Sequence, residues 1–274
     1  MINIERYEID NKLGIKIALV ADLHEKNPAE VLDALSKISP DYIMFPGDLW
    51  ERQDESESGE WNHANMSFIQ TENIFLRGCY FFTQLLSGHF LRKIDDRTEE
   101  EKKYSYFFLR EASKIAPIFL SVGNHEWYYT ERDYEVIKET GTILLDNQDL
   151  TLCIKNKMVL VGGLSTRADL EWLKQYCLKT TDYKILLCHH PEYVKRYVEK
   201  LGKADIILSG HAHGGQWRIF GKIPVYAPGQ GLLPKYTRGI YETKAGKLVV
   251  TSGCANHINY PRLGNPCEVV EILL

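Results

Sequence analysis

Five short, nearly continuous apolar runs recur along the chain, at residues 15–20, 42–45, 117–122, 184–188 and 204–208. Their composition is typical of strands that are buried on both faces. Between the runs lie segments with helical spacing. Residues 28–39, for example, open with a proline and repeat apolar positions on one face. Strands that alternate with helices predict βαβ units and a largely parallel sheet.

Antiparallel strands are predicted in the second half of the chain. Residues 151–161, around 155–157, and residues 241–251, around 245–247, both have the pattern of a hairpin. A mixed α/β fold with two packed sheets and outer helices accommodates all of these elements, and so does one mixed sheet. The unbroken alternation favours a single domain over residues 1–274.

One segment, at about residues 51–97, breaks this rhythm and is interpreted as an insertion. A polar acidic stretch at 54–60 leads into an aromatic and aliphatic segment at 68–90. The simpler interpretation is one or two helices packed on the main core. The alternative is a cap over the active site, or a surface that contacts acyl chains or a membrane.

The charge and the cysteine content of the chain limit the classes of substrate and the cellular locations that we expect. The 33 basic and 37 acidic residues are mixed along the chain and give a net charge of -4, so nucleic acid is disfavoured as a substrate. The six cysteines form no CxxC pair, which favours reduced thiols. Without a leader-like N-terminus or a long apolar window, we expect a cytoplasmic protein that is at most peripheral to a membrane.

Each of the five apolar runs ends in side chains of the kinds that bind metal ions. These clusters are Asp22-Leu23-His24, Gly47-Asp48, Gly123-Asn124-His125-Glu126, His189-His190-Pro191 and Gly210-His211-Ala212-His213-Gly214. Any one of these clusters alone is weak evidence for a metal site, because a lone Asp is more often a helix cap and a lone His is more often a core residue. Five such clusters, each at the C-terminal end of a predicted strand, predict a ligand-binding site at that edge of the sheet. Oxygen donors mixed with imidazole suit Mn, Fe or Zn, and this many donors exceeds one ion.

The motifs D-x-H, G-D, G-N-H-E, H-x-P and G-H-x-H, in this order over nearly the whole chain, resemble those of the calcineurin-like metallophosphoesterases. Residues 210–216 and the Pro-Gly-rich segment 223–238 are similar to a bacterial branch with membrane-associated phosphohydrolases and UDP-diacylglucosamine pyrophosphatases. The resemblance implies an α/β (α+β) fold in four layers, an αββα sandwich of two mixed sheets flanked by helices. It also implies a hydrolase that uses two divalent metals, Mn, Fe or Zn.

The resemblance carries over residue by residue. It implies one metal bound by Asp22, His24, Asp48 and His213, and a second bound by Asp48, Asn124, His189 and His211. Asp48 would then bridge the two metals, and a metal-bridging hydroxide would attack phosphorus in line. The bond hydrolysed is a phosphodiester, a phosphomonoester or a diphosphate.

Four further residues lie in or beside these motifs. His125 is the candidate that stabilises the phosphoryl oxygens or protonates the leaving alkoxide. In many relatives an Asp three residues after the bridging Asp pairs with this His. This sequence has Glu51 there, and we predict that Glu51 still orients His125. His190 is interpreted as a substrate-side or structural residue rather than a third metal ligand, and Cys188 as a small core residue rather than a nucleophile.

Other functions fit less well. Residues 163–167 lack the closing glycine of a serine-nucleophile elbow. A protein phosphatase is an alternative, although residues 47–52 follow the sequence pattern of that class only loosely. A nuclease of the same superfamily is a further alternative, but the sequence lacks the run of basic residues that would bind a nucleic-acid backbone. A catalytically inactive metal-binding scaffold would have lost ligands, yet every expected one is present. A nucleotide- or lipid-linked phosphoester is the preferred substrate, and no obligate protein partner is implied.

Overall fold

A computed structural model describes residues 2–9, 12–52, 103–255 and 262–274. The predicted insertion at 51–97 lies outside these ranges except for its first two residues. Among the helices that are described, none has both the length and the apolarity needed to cross a bilayer.

In the described part of the chain, the first sheet contains six strands. In spatial order they are β1 (Asn3–Glu8), β16 (Glu268–Leu273), β2 (Lys16–Leu19), β3 (Tyr42–Phe45), β4 (Ile118–Ser121) and β5 (Ile143–Leu145). β16 runs antiparallel to β2, and the other neighbours are parallel. Three of the predicted apolar runs form β2, β3 and β4, with bounds within a residue or so of those expected.

The second sheet is also mixed. Within the same ranges, its order is β14 (Gly239–Thr243), β15 (Gly246–Val250), β9 (Ile206–Ser209), β8 (Tyr183–Cys188), β7 (Lys157–Leu164) and β6 (Gln148–Ile154). Both predicted hairpins are confirmed, as β6–β7 and β14–β15. The β6–β7 turn places Lys155 and Asn156 at φ 47° and 66°. A two-residue turn with two positive φ angles matches the twist of the strands it joins.

Helices cover the outer face of each sheet. On the first sheet lie α1 (Ala29–Ile38), α2 (Tyr104–Ala112) and α3 (Glu131–Thr140). On the second lie α4 (Leu170–Leu178) and a π-helix, Val194–Val198, that continues into α5 (Glu199–Leu201). The helix predicted at 28–39 is α1, and Pro28 occupies the capping position just before its first residue.

The core between the sheets settles the architecture. Ile17, Met44 and Phe119 of the first sheet are buried in one cluster with Val161 and Ile185 of the second. A separate cluster lies between each sheet and its helices. The fold therefore has four layers, αββα, as the family resemblance implied. The sequence pattern left one sheet or two undecided, because alternation along a strand does not say which sheet the strand joins.

Short elements follow β9 and lead towards the C-terminal hairpin. They are a 3₁₀ turn (His213–Gly215) and two small ribbons, β10 (Arg218–Ile219) with β11 (Ile223–Pro224) and β12 (Tyr226–Ala227) with β13 (Gly231–Leu232). The loops after β2, β3, β4, β8 and β9 meet at one edge of the sandwich, where side chains from the two sheets contact each other.

Candidate metal centre

Asp48 lies at the middle of this edge, in the loop after β3. Its Oδ1 accepts a hydrogen bond from the backbone N–H of His125 at 2.9 Å. Its Oδ2 is 3.0 Å from Nε2 of His189, 3.8 Å from Nε2 of His24 and 3.9 Å from Nε2 of His125. Burial raises the pKa of Asp48, but His189, His125 and His24 outweigh it and hold this pKa well below its usual range. Asp48 therefore stays ionised, surrounded by imidazoles.

Asp22, in the loop after β2, is the second buried carboxylate. Its two oxygens lie 3.0 and 3.2 Å from the backbone N–H of His211, which is donated from the other sheet. Burial raises its pKa to about 6; His189 opposes this shift and Asp48 adds to it. An oxygen of Asp22 is also 3.9 Å from Nε2 of His189. Asp22 and Asp48 thus face the same small volume from adjacent strands.

Glu51 contacts two histidines at once. Its Oε1 is 2.5 Å from Nδ1 of His24, and its Oε2 is 2.9 Å from Nδ1 of His125. Burial raises the pKa of Glu51, but the two imidazoles outweigh it and hold the pKa well below the usual range. The predicted contact with His125 is present, and the longer arm of Glu does not prevent it. The contact with His24 was not predicted. It turns Nε2 of His24 towards Asp48, as a carboxylate behind a metal-binding histidine does.

Among the described residues, four groups of side chains have the spacing of a metal site, and two of them consist of predicted ligands alone. Asp22, His24 and His213 form one group, and Asp48, His189 and His211 form the other. In each group the ligand atoms lie within 4.8 Å of one another. Each group holds three of the residues that the family resemblance assigned to one ion; Asp48 is in the second group alone, and the amide Asn124 is in neither. Burial, together with His190 and His189, holds the pKa of His211 well below its usual value, so its imidazole is neutral.

Several buried polar atoms at this edge suit a cation. Within the described ranges, Oδ2 of Asp48, Oδ1 of Asn124 and both ring nitrogens of His189 make no hydrogen bond of regular geometry. Unsatisfied buried polar atoms are costly and uncommon in proteins. Asp48, Asn124 and one ring nitrogen of His189 offer lone pairs of the kinds that Mn, Fe and Zn accept. The residues present therefore fit a metal centre.

The backbone that carries the ligands is strained. Asp22, His24, Asp48, His211 and His213 have φ of 56°, 51°, 60°, 65° and 43°. Residues with a Cβ rarely adopt this left-handed region, and such strain clusters at functional sites. These residues lie in the loops that follow β2, β3 and β9, so left-handed backbone is concentrated where the proposed ligands are.

Glu126 joins the loops after β3 and β4. Its Oε1 accepts hydrogen bonds from the backbone N–H groups of Leu49 (2.6 Å) and Trp50 (3.1 Å). Its Oε2 accepts from those of Gly123 (2.6 Å) and Asp48 (3.1 Å). Burial and the Asp48 carboxylate raise the pKa of Glu126 to about 7, against these N–H groups. The sequence motif includes Glu126, but its spacing gave no sign of this role.

Gly123 is required by close approach rather than by its φ. A Cβ at this position would overlap Oδ1 of Asp48 and lie 2.5 Å from the Asp48 backbone nitrogen. The absence of a side chain at Gly123 is what allows the loop after β4 to lie against Asp48.

Arg262 was not singled out from the sequence. Its Nη2 is 3.2 Å from Nδ1 of His213, and its guanidinium also donates to the backbone carbonyls of Ser252 and Ala255. It lies 49 residues from His213 in the chain, in a segment without a motif, so no local signal could have found it.

Cys188, one residue before the proposed ligand His189, is buried. The thiol of Cys188 lies in the core of the second sheet, and burial raises its pKa. That burial fits a core residue and not a nucleophile. His63, His89 and His257 carry no motif and lie outside the described residues.

Comparisons with known proteins point to one family. A family model described as calcineurin-like phosphoesterase matches residues 15–215. An uncharacterized metallophosphoesterase of Campylobacter jejuni is 30% identical over 193 residues, which cover 66% of this chain and 48% of that protein. An uncharacterized protein of Bacillus subtilis is 31% identical over 118 residues, 42% of this chain and 45% of that protein. The matched part spans about half the length of these curated relatives.

Solved structures align with this chain at lower identity. An archaeal phosphodiesterase aligns over 89% of this chain and 88% of its own, with a TM-score of 0.41 and 13% identity. The family match covers most of the chain and includes all the strand-end motifs. The chain belongs to the calcineurin-like phosphoesterase family.

Proposed function

We propose that this protein hydrolyses a phosphoester bond at a dinuclear metal centre in which Asp48 bridges the two ions. One observation carries the proposal. Oδ2 of Asp48 is buried, and it lies 3.0 to 3.9 Å from imidazole nitrogens on three different loops. A carboxylate oxygen so placed is suited to binding cations on both sides.

The proposed ligands divide between the two ions. One ion is assigned to Asp22, His24, Asp48 and His213, and the other to Asp48, Asn124, His189 and His211. Two divalent cations, when bound, neutralise charge on the phosphoryl oxygens and activate water. The protein supplies rigidity, because strained loops and the Glu126 contacts hold these side chains in place.

His125 is the proposed proton donor. Its Nδ1 faces Glu51, so its Nε2 faces the centre beside Asp48. Burial lowers the pKa of His125, but Glu51 and Asp48 outweigh it and raise this pKa to about 9. His125 therefore carries a proton on Nε2 at neutral pH. From there it can donate a hydrogen bond to a phosphoryl oxygen or a proton to the leaving alkoxide.

A nucleotide- or lipid-linked diphosphate is the substrate that we propose within this class. It is supported by the resemblance of residues 210–216 and 223–238 to the bacterial branch that includes UDP-diacylglucosamine pyrophosphatases. The mixed charge along the chain argues against a polyanionic substrate. Peripheral contact with a membrane, through the apolar segment at 68–90, belongs to the same proposal.

Metal content and activity test the mechanism together. We expect the purified protein to bind two equivalents of Mn²⁺ or Zn²⁺. Asp48→Asn should lower both metal content and kcat/KM, the latter by more than ~100-fold, since even partners behind the ligands cost 10- to 100-fold. Asp33→Asn, an exposed change on α1, is the matched control. Activity that survives full chelation, or that is unchanged in Asp48→Asn, would refute the mechanism.

A second assay tests the substrate. It compares a phosphomonoester, a phosphodiester and a lipid-linked nucleoside diphosphate with Mn²⁺, and we expect the highest kcat/KM on the diphosphate. Deleting residues 68–90 should selectively reduce hydrolysis of the acylated substrate. An equal loss on all three substrates would point to a structural role for this segment.

A further inference from the structure

Another cluster of ligand atoms lies next to the group formed by Asp48, His189 and His211. It consists of His190 and Glu192, which follow β8, together with His211 itself. Oε1 of Glu192 is 3.3 Å from Nδ1 of His190 and 3.9 Å from Nε2 of His211. One ligand atom from each residue lies within 4.8 Å of the others. His211 is therefore common to this cluster and to the group formed by Asp48 and His189.

His190 is held with one nitrogen directed into the cluster. Its ring stacks on Tyr193, with centroids 4.4 Å apart, and its Nε2 is 2.8 Å from Oγ1 of Thr166. Its side chain is more than nine-tenths buried. Even so, Nδ1 makes no regular hydrogen bond in the described part of the chain, and neither does the buried Oε2 of Glu192. In the tautomer that donates Nε2–H to Thr166, the Nδ1 lone pair of His190 faces Glu192.

The spacing of these atoms suits zinc. Two ligands on a tetrahedral zinc, with bonds of about 2.0–2.2 Å, lie about 3.3–3.5 Å apart. The separation between His190 and Glu192 already has this value, and that between Glu192 and His211 exceeds it by a few tenths of an ångström. Two imidazoles and one carboxylate are a zinc ligand set that leaves the fourth position open.

We propose that His190, Glu192 and His211 form a third divalent-cation site, selective for zinc-like ions, that competes with Asp48 and His189 for His211. A neutral imidazole has one lone pair and binds one cation at a time. An ion in the third site therefore removes one ligand from the second metal of the proposed dinuclear centre. Excess zinc then inhibits the enzyme. The inhibition rests on the proposed function, but binding at the third site does not.

Gly229 provides an independent way to disturb this site. Its backbone, at φ +69°, lies against Glu192, and a Cβ there would overlap Oε1 of Glu192. Gly229→Ala therefore displaces the carboxylate without changing any ligand of either site.

The experiment titrates protein already loaded with two equivalents of Zn²⁺ with further Zn²⁺. Calorimetry follows binding, and hydrolysis of the best substrate follows activity. We expect one more equivalent to bind and activity to fall in parallel. Glu192→Gln and His190→Asn should weaken this additional binding at least tenfold and abolish the inhibition, measured relative to each variant's activity before excess zinc. Glu135→Gln, an exposed change on α3, should behave as the wild type.

The outcomes separate the two proposals. If no further zinc binds, or if it binds with equal affinity to Glu192→Gln, His190→Asn and Gly229→Ala, the third site is refuted. A third equivalent that binds without loss of activity refutes the competition for His211. If Asp48→Asn retains two equivalents of zinc and full activity, the dinuclear centre fails, while additional binding that depends on Glu192 would still stand.

Discussion

Glu126→Gln should weaken the connection between the loops after β3 and β4. Each carboxylate oxygen of Glu126 accepts two backbone N–H groups: Oε1 those of Leu49 and Trp50, and Oε2 those of Gly123 and Asp48. Glutamine keeps one oxygen and places an NH₂ group at the other position. Whichever way the amide lies, two buried N–H groups lose their acceptor.

The magnitude follows from those two groups. Leaving a buried donor unpaired costs about 1–3 kcal/mol, so the free energy of unfolding should fall by ~2–6 kcal/mol. That is a large share of the ~5–15 kcal/mol typical of a folded protein. At roughly 2 °C per kcal/mol for a chain of this size, Tm should fall by ~4–12 °C.

The assay is urea unfolding of both proteins, followed by circular dichroism. It is run with chelator, so that bound metal does not contribute, and at pH 8, above the pKa of about 7 that Glu126 has in the fold. Glu139→Gln, which removes a partner of Arg110 on the surface, is the control and should change the midpoint much less. A Glu126→Gln free energy within ~0.5 kcal/mol of the wild type would contradict the reasoning.

Three further predictions concern the metal centre. At saturating metal, Glu51→Gln should move the alkaline limb of the pH–rate profile to lower pH. The Glu51 carboxylate helps to raise the pKa of His125 to about 9, so without this charge His125 loses its proton at a lower pH. An alkaline limb that stays at the wild-type pH would remove Glu51 from the mechanism. Gly123→Ala should displace Asp48 and lower metal content, while Gly141→Ala, where a Cβ meets nothing within 4 Å, should bind metal normally. Added Mn²⁺ at 100 times its Kd should stabilise the fold by about 2.7 kcal/mol per site, a gain that a thermal melt with chelator should erase.

Much of the fold could be predicted because the signals are local. The apolar runs gave β2, β3, β4, β8 and β9, and the residues at their ends contain the ligand candidates. The Lys155-Asn156 turn is visible as a two-residue break between strand patterns. Parallel strands bring their carboxyl ends to one edge, so the order of motifs already placed these side chains near each other.

Contacts between distant segments could not be predicted in the same way. Glu126 binds backbone 76 to 78 residues away, and the backbone of His211 binds Asp22 across 189 residues. Periodicity carries no information about such pairs. Glu192 had a weak local signal, since it lies three residues after a ligand candidate. Its proximity to His211 depends on the neighbouring strand.

Glu51 has an evolutionary consequence. One carboxylate touches both His24, a proposed metal ligand, and His125, the proposed proton donor, with a different oxygen for each. An aspartate at this position has one methylene fewer, so we expect Glu51→Asp to alter metal loading and proton donation in a single step. Glu51, His24 and His125 should therefore behave as an epistatic unit, in which the effects of substitutions at two of these positions are not additive.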